Sequence, residues 1–285
     1  MKAFDIYPLP YHKGTTHTFK DRPEQVTKML HAFLDNHLSD YTDEELEERV
    51  NYFESAIAYK FQNPAELPYI AFVITTNQGL CKSLYARLLN EINPYVLHNG
   101  DLRLETGDFN GSFFDKTIMF YNEAPNTDNV ERIKTITTEK DIVINRKFEN
   151  PTEIRNTSLK VFLTNQRNFN YIEDGDRRFV LFRGTNNRSI SEELTSRIDY
   201  IFQKDNNKKF KEDLKKEYFN YLLNLKIPEK YNNFITIPKI PALLNDKEEY
   251  LESQKQRRDT FLLFMDDIFT YCHVPKHKKS HNKNT

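Results

Sequence analysis

Eight residues, Thr76-Asn77-Gln78-Gly79-Leu80-Cys81-Lys82-Ser83, stand between a compact apolar run and a helical pattern. A strand, a loop ending in Lys-Ser and a helix form a standard way to hold a polyphosphate. The lysine reaches the β- and γ-phosphates, the serine hydroxyl ligates Mg²⁺, and the loop amides with the helix N-terminus hold the anion. The full pattern, GxxxxGK[ST], has glycine where Thr76 and Cys81 stand. Cys81 adds a Cβ where the backbone must approach the phosphates, and it disfavours the positive φ that glycine allows. Leu80 is bulky for such a loop. Alone, the segment reads equally as an ordinary strand-loop-helix with a capping serine.

Three further segments carry suitable chemistry. Lys116-Thr-Ile-Met-Phe-Tyr-Asn122-Glu123 is a buried-strand pattern ending in a polar-acidic pair. Glu123 there would polarise an attacking water and, with Ser83, help hold the metal. Leu159-Lys-Val-Phe-Leu-Thr164-Asn165 is a strand ending in an amide that could orient that water. Asp176-Arg177-Arg178-Phe179 places paired arginines at a strand start, and a fixed guanidinium suits a neighbouring subunit's γ-phosphate. Each segment taken singly is also compatible with local structure alone. Their order, phosphate loop, acidic strand end, polar strand end and arginine pair, is that of an AAA-like ring ATPase.

In that order the chain resembles the superfamily 3 helicases, specifically the phage and plasmid primase-helicase group related to the poxvirus primase-helicase. The resemblance runs from about Asp40 to Phe182. Ala58-Tyr-Lys-Phe-Gln-Asn-Pro64 is similar to the lead-in to that family's nucleotide loop, and Gln78-Gly79 matches the residues before its Gly-Lys-Ser. Asn122-Glu123 and Lys160 to Asn165 match its B and C motifs. Ile133 to Asn156 resembles its B′ segment, with Arg146-Lys147-Phe148 at the hairpin position. The resemblance implies that Arg146 and Lys147 contact phosphates in the pore of a hexameric ring, with Phe148 against a sugar or base. The plainer alternative is a structural hairpin with surface charge. Relatives often carry a primase domain upstream. Fewer than about 70 residues precede the first core strand, too few for a catalytic domain. Either the primase is a separate chain or this is a C-terminal fragment.

These residues need elements to position them. Asp21-Arg-Pro-Glu24 opens a helix, with Val26, Met29, Leu30, Phe33, Leu34 and Leu38 at helical spacing. Thr42 with Glu45 opens a second, striped by Leu46, Val50, Phe53 and Ile57 and ending before Asn63-Pro64. Strands are expected at Tyr69–Ile74, Thr117–Tyr121, Ile142–Ile144, Leu159–Leu163 and Phe179–Phe182. Helices are expected through Leu84, Leu88 and Leu89, at Val130–Ile136, and then at Ile190–Phe202, Phe210–Leu225 and Lys247–Tyr271. This predicts an AAA-like α/β P-loop NTPase core with a largely parallel sheet. The expected divisions are an N-terminal helical collar at 1–64, the ATPase core at 65–188, a C-terminal helical region at 189–272 and a solvated basic tail at 273–285. Histidines 273, 277 and 281 could stack on one helix face, but a frayed tail is the preferred reading over a metal site.

Composition narrows the class. With 38% hydrophobic and 13% aromatic residues the chain can fill a core. A net charge of −1 excludes a globally basic nucleic-acid binder, though a ring can confine basic residues to its pore. Two cysteines give neither a disulfide framework nor a zinc pattern. Met1 to Tyr11 lacks the regions of a signal peptide, and no apolar run approaches a membrane span. Together with the motif order, the resemblance implies a cytoplasmic, ATP- and Mg²⁺-dependent DNA helicase or translocase of a mobile element. It would act as a hexameric homo-oligomer on single-stranded DNA, with a separate primase or polymerase as a possible partner. The alternatives are a degenerate P-loop subunit that binds DNA or a partner without turnover, and a non-helicase AAA-like regulator.

Overall fold

The computed structural model describes residues 21–34, 42–76, 79–111, 115–122, 130–165, 172–184 and 208–272. The expected helix over 190–202 and the tail at 273–285 lie outside them. The chain divides into two units, residues 1–247 and 248–285.

The first unit is an α/β core. Helices α1 (Glu24–Leu34) and α2 (Asp43–Gln62) precede strand β1 (Ala71–Thr75). Then follow α3 (Lys82–Ile92), β2 (Val96–Gly100), α4 (Leu102–Thr106), β3 (Ile118–Tyr121) and α5 (Val130–Thr138). A hairpin of β4 (Asp141–Ile144) and β5 (Thr152–Arg155) leads into β6 (Leu159–Thr164), then β7 (Phe179–Arg183) and α6 (Lys208–Asn224). A 3-10 turn (Glu229–Phe234) precedes α7 (Pro241–Cys272), whose residues through Lys247 belong to this unit.

Five strands form one sheet in the order β2-β3-β6-β1-β7, and every neighbouring pair is parallel. Strands buried on both faces read as largely apolar runs, which is how β1, β3, β6 and β7 were legible. Strand β2 was missed: Val-Leu-His-Asn-Gly has little apolar content, and among the described residues it pairs with β3 alone. Its last residue, Gly100, is closely packed: a Cβ there would meet Tyr121 Cδ1 at 3.0 Å and Phe120 O at 3.1 Å, so those neighbours would have to shift by a few tenths of an ångström.

One sheet face offers Phe72, Ile74, Val161, Leu163, Val180 and Phe182 to the apolar stripes of α1, α2, α3 and α6. The capping box at the start of α2 forms as expected, with Glu45 N donating to Thr42 Oγ1 at 3.3 Å and Thr42 N to Glu45 Oε2 at 2.9 Å. On the other face Phe162 stacks on Tyr121 at 5.0 Å.

Several charges are buried in this unit. Glu54 accepts hydrogen bonds from Arg22 Nε at 2.7 Å, Tyr218 OH at 3.0 Å and Tyr221 OH at 3.1 Å. Tyr218 also shares a 2.7 Å contact with Tyr85 of α3. Arg49 meets Asp246 at 2.6 Å, while Asp246 also accepts from Arg183 N at 2.7 Å. In the second unit, α7 continues to Cys272 and exposes Phe261, Leu262, Leu263 and Phe264. Among the described residues no helix is long and apolar enough to cross a membrane.

Glu105 of α4 is buried, and its Oε2 has no hydrogen-bond partner among the described residues. Burial raises this carboxyl from 4.5 to about 7, against the opposing charge of Lys160. Between those values the folded chain holds a proton that the unfolded chain has lost, so stability falls as pH rises from about 4.5 to 7. In thermal melts, wild type should lose several degrees across this window relative to Glu105→Gln. Parallel pH curves for the two proteins would show that Glu105 is ionised throughout.

Candidate functional site

Parallel pairing puts the C-terminal ends of β1, β3 and β6 along one sheet edge. The loop after β1 carries the phosphate-loop residues, Asn122 follows β3, and Asn165 follows β6. Because β6 lies between β3 and β1, Asn165 neighbours the loop directly. Thr75 is in register with Thr164, and Thr76 N donates to Thr164 O at 3.2 Å. In open α/β sheets this edge is where ligands bind. Asn77, Gln78 and Glu123 lie outside the described residues.

The two irregular loop positions are accommodated. Gly79 has φ 84° and Cys81 has φ 61°, with Leu80 between them at negative φ. Such alternation turns successive amides towards one point and makes an anion-binding concavity. Cys81 therefore takes the conformation that a glycine would have taken more cheaply. It caps α3 without a side-chain hydrogen bond. Leu80 is buried in the core and so does not crowd the loop's mouth. Thr76, at the first glycine position, rests its methyl where a Cβ on Gly184 would stand, 2.2 Å away.

Lys82 is the first residue of α3, and its ammonium reaches back to the strand ends. It donates to Thr76 O at 3.1 Å, Thr164 O at 3.3 Å and Asn165 Oδ1 at 2.9 Å. Burial lowers its pKa to about 8. Ser83 is exposed on the first turn. Asn122 donates to His98 O at 3.2 Å and to Asn99 Oδ1 at 3.0 Å, while its own buried Oδ1 has no hydrogen-bond partner among the described residues. Two positive-φ residues, the N-terminus of a helix, an ammonium, a hydroxyl and an amide oxygen fit a polyphosphate with a hydrated divalent ion. Among the described residues no cluster of His, Cys, Asp and Glu would hold a metal by itself.

Arg177 and Arg178 are at the opposite edge. Arg178 O accepts from Ala71 N at 2.8 Å, at the start of β1. The five residues of β1 span about 16 Å, which separates the pair from Lys82 of its own chain. Asp176 holds Arg178, accepting from its backbone N at 2.7 Å and its Nη1 at 3.0 Å. Arg177 is the exposed member of the pair.

Arg146, Lys147 and Phe148 form the tip of the β4–β5 hairpin, where the B′ resemblance located them. Glu149 N donates to Arg146 O at 3.1 Å and closes the turn. Phe148 is 95% exposed at φ 70°, a conformation that costs a bulky residue about 1–2 kcal/mol. Lys147 Nζ lies 5.1 Å from the Phe148 ring centroid. Arg146 pairs with Glu149 at 3.3 Å, so a phosphate would have to displace that carboxylate. Sequence reading missed a neighbour: Phe109, 56% exposed, precedes Asn110, which is bonded to β4. Its signal was a Gly-Asp-Phe-Asn-Gly stretch, an aromatic among turn residues.

Known proteins resemble this chain in part of its sequence and in most of its fold. A family of unknown function, DUF5906, matches residues 73–178, from β1 to the arginine pair. A DNA primase-polymerase of Nitratiruptor phage NrS-1 is 28% identical over 176 residues, which is 59% of this chain and 23% of that protein. Two apo structures of the NrS-1 C-terminal region each cover 86% of this chain, with TM-scores of 0.63 and 0.61 at 20% and 21% identity. They share its fold, and the chain covers 54% of each of them.

Replacing Phe148 with glycine should relieve the positive φ while burying nothing less, since the ring is almost wholly in solvent. Relief of strain and the greater entropy of an unfolded glycine roughly offset, so stability should stay level or rise by up to about 1 kcal/mol. Urea unfolding measures this. A loss greater than about 1 kcal/mol would show that the ring supports the hairpin.

Proposed function

We propose that this chain is a nucleotide-driven motor of phage-type DNA replication, binding Mg²⁺-ATP at the β1–β3–β6 edge and single-stranded DNA at the hairpin. The observation that carries the reading is Lys82. It opens a helix behind two positive-φ residues, at the end of a central parallel strand, beside a polar strand end. Bound Mg²⁺-ATP would supply the phosphoryl group and neutralise its charge. The loop amides and Lys82 would hold the phosphates, Ser83 would face the metal, and Asn165 and Glu123 would orient and polarise water. The phage primase-polymerase relative supports a place in replication, with primase or polymerase chemistry supplied by a partner.

The arginine pair supports assembly. It is too far from its own chain's Lys82 to serve it, so Arg177, or Arg178 once released from Asp176, would act in a neighbouring copy. A hexameric ring would place the hairpins in a common pore.

A second reading has its own observation. Three oxygens already satisfy the Lys82 ammonium, Asn165 Oδ1 among them. Phosphates must displace that arrangement, which favours weak nucleotide binding and slow or absent turnover. The chain would then be a P-loop subunit that binds DNA without driving its movement.

Calorimetric titration of Mg²⁺-ATP separates these readings. Wild type should bind, Lys82→Ala should not, and Asn165→Ala should bind several-fold more tightly while hydrolysing more slowly. Equal affinity in wild type and Lys82→Ala would end the phosphate-loop reading, and binding without any turnover would favour the second. Affinity should also fall between pH 7 and 9: phosphates raise the amine's pKa from about 8, so binding there takes up a proton.

The DNA arm uses fluorescence anisotropy with a labelled single-stranded oligonucleotide across a salt series. Replacing Arg146 and Lys147 together with alanine should weaken binding and flatten the salt slope by about 2, while Phe148→Gly weakens binding at unchanged slope. Wild-type affinity and slope in the double variant would make the hairpin structural.

A further inference from the structure

The hairpin is held from outside itself. Asn110, only 3% exposed, sits in the loop after α4 and lies along β4. Its backbone N donates to Asn145 O at 3.1 Å, its Nδ2 donates to Val143 O at 3.1 Å, and its Oδ1 accepts from Asn145 N at 2.7 Å. These groups alternate with Ile142 and Ile144, and so lie on the edge of β4 that β5 does not use. One side chain thus closes an open strand edge at the last residues before the tip. Only a primary amide brings donor and acceptor together at that length. A carboxylate would face Val143 O with like charge, and serine would not reach.

The next residue extends the hold to Arg146. A Cβ on Gly111 would meet Arg146 Cγ at 2.4 Å and Cδ at 3.4 Å, so the arginine stem lies directly against the Gly111 backbone. The guanidinium leaves this contact towards Glu149 at the tip. Asn110 fixes the strand from which Arg146 departs, and Gly111 fixes the path the side chain then takes.

We propose that Asn110 is a positioning residue for single-stranded nucleic acid, acting through Arg146, whose stem the Asn110-Gly111 segment fixes against the hairpin. The inference rests on the hairpin being a nucleic-acid contact. It adds a residue that lies outside the hairpin in sequence and does not itself touch the ligand. A merely structural residue would weaken binding through general instability, with a loss that adds to that of Arg146→Ala. A residue acting through Arg146 has nothing left to lose once Arg146 is gone.

The test is a double-mutant cycle read by anisotropy with labelled oligo(dT) across a salt series. Asn110→Ala should weaken binding and flatten the salt slope by about 1, as Arg146→Ala does, and the double variant should bind no more weakly than Arg146→Ala. Gly111→Ala displaces the Arg146 stem while leaving the Asn110 bonds in place, and it should reproduce the flattened slope. It decides the question if Asn110→Ala does not fold. Losses that add fully, or a wild-type slope in both Asn110→Ala and Gly111→Ala, would overturn the inference. Wild-type affinity in Arg146→Ala would instead remove the hairpin reading, and this inference with it.

Discussion

Five strands running the same way cannot scatter their ends. Parallel pairing sends the loops after β1, β3 and β6 to one edge and the segments before β6 and β7 to the other. The Lys82 ammonium marks where this matters most. It is lodged between the ends of two adjacent strands, with Thr76 O on one side and Thr164 O on the other. Those oxygens can meet one side chain only because β1 and β6 are neighbours in register. The nucleotide-site candidate is therefore a property of strand order before it is a property of any single loop.

Buried charge holds the helices to that sheet. Glu54 draws α1, α3 and α6 together through Arg22, Tyr85, Tyr218 and Tyr221. Arg49 and Asp246 tie α2 and the start of α7 to the end of β7. Such pairs contribute modestly when intact, and breaking one partner costs about 3–5 kcal/mol because the other is stranded. Their effect is on geometry: Tyr85 is one turn beyond Lys82, so the helix that opens after the β1 loop is tied through Tyr218 to a carboxylate on a different helix.

The central strands and long helices were legible because two-sided burial and helical stripes leave strong periodic patterns. Residues such as Thr42 and Glu45, or Leu159 to Thr164, need no distant partner to be interpreted. Strand β2 and α4 were illegible because His98, Asn99 and Gly100 carry no burial signal. Cys81 looked like a fault in the loop, yet its φ of 61° shows that the surrounding fold can impose what sequence preference disfavours. Leu80 was misjudged for a related reason, since nothing local says that its side chain turns inward. The roles of Asn110 and Asp176 depend on backbone groups that only folding brings near.

Strand β6 runs in one piece of backbone from the segment after the hairpin to the Lys82 contact. Near its start, Lys160 donates to Asn156 Oδ1 at 2.9 Å, and Asn156 in turn ties the end of the hairpin to α5, donating to Ile136 O at 2.8 Å and Glu139 O at 2.9 Å. Just past its end, Asn165 meets Lys82. The residues between are buried, and Lys160 to Phe162 are paired to a strand on either side. An amide side chain thus stands at either end of the strand, Asn156 before it and Asn165 after it, each bound to a buried lysine, and the sheet between them sets their separation.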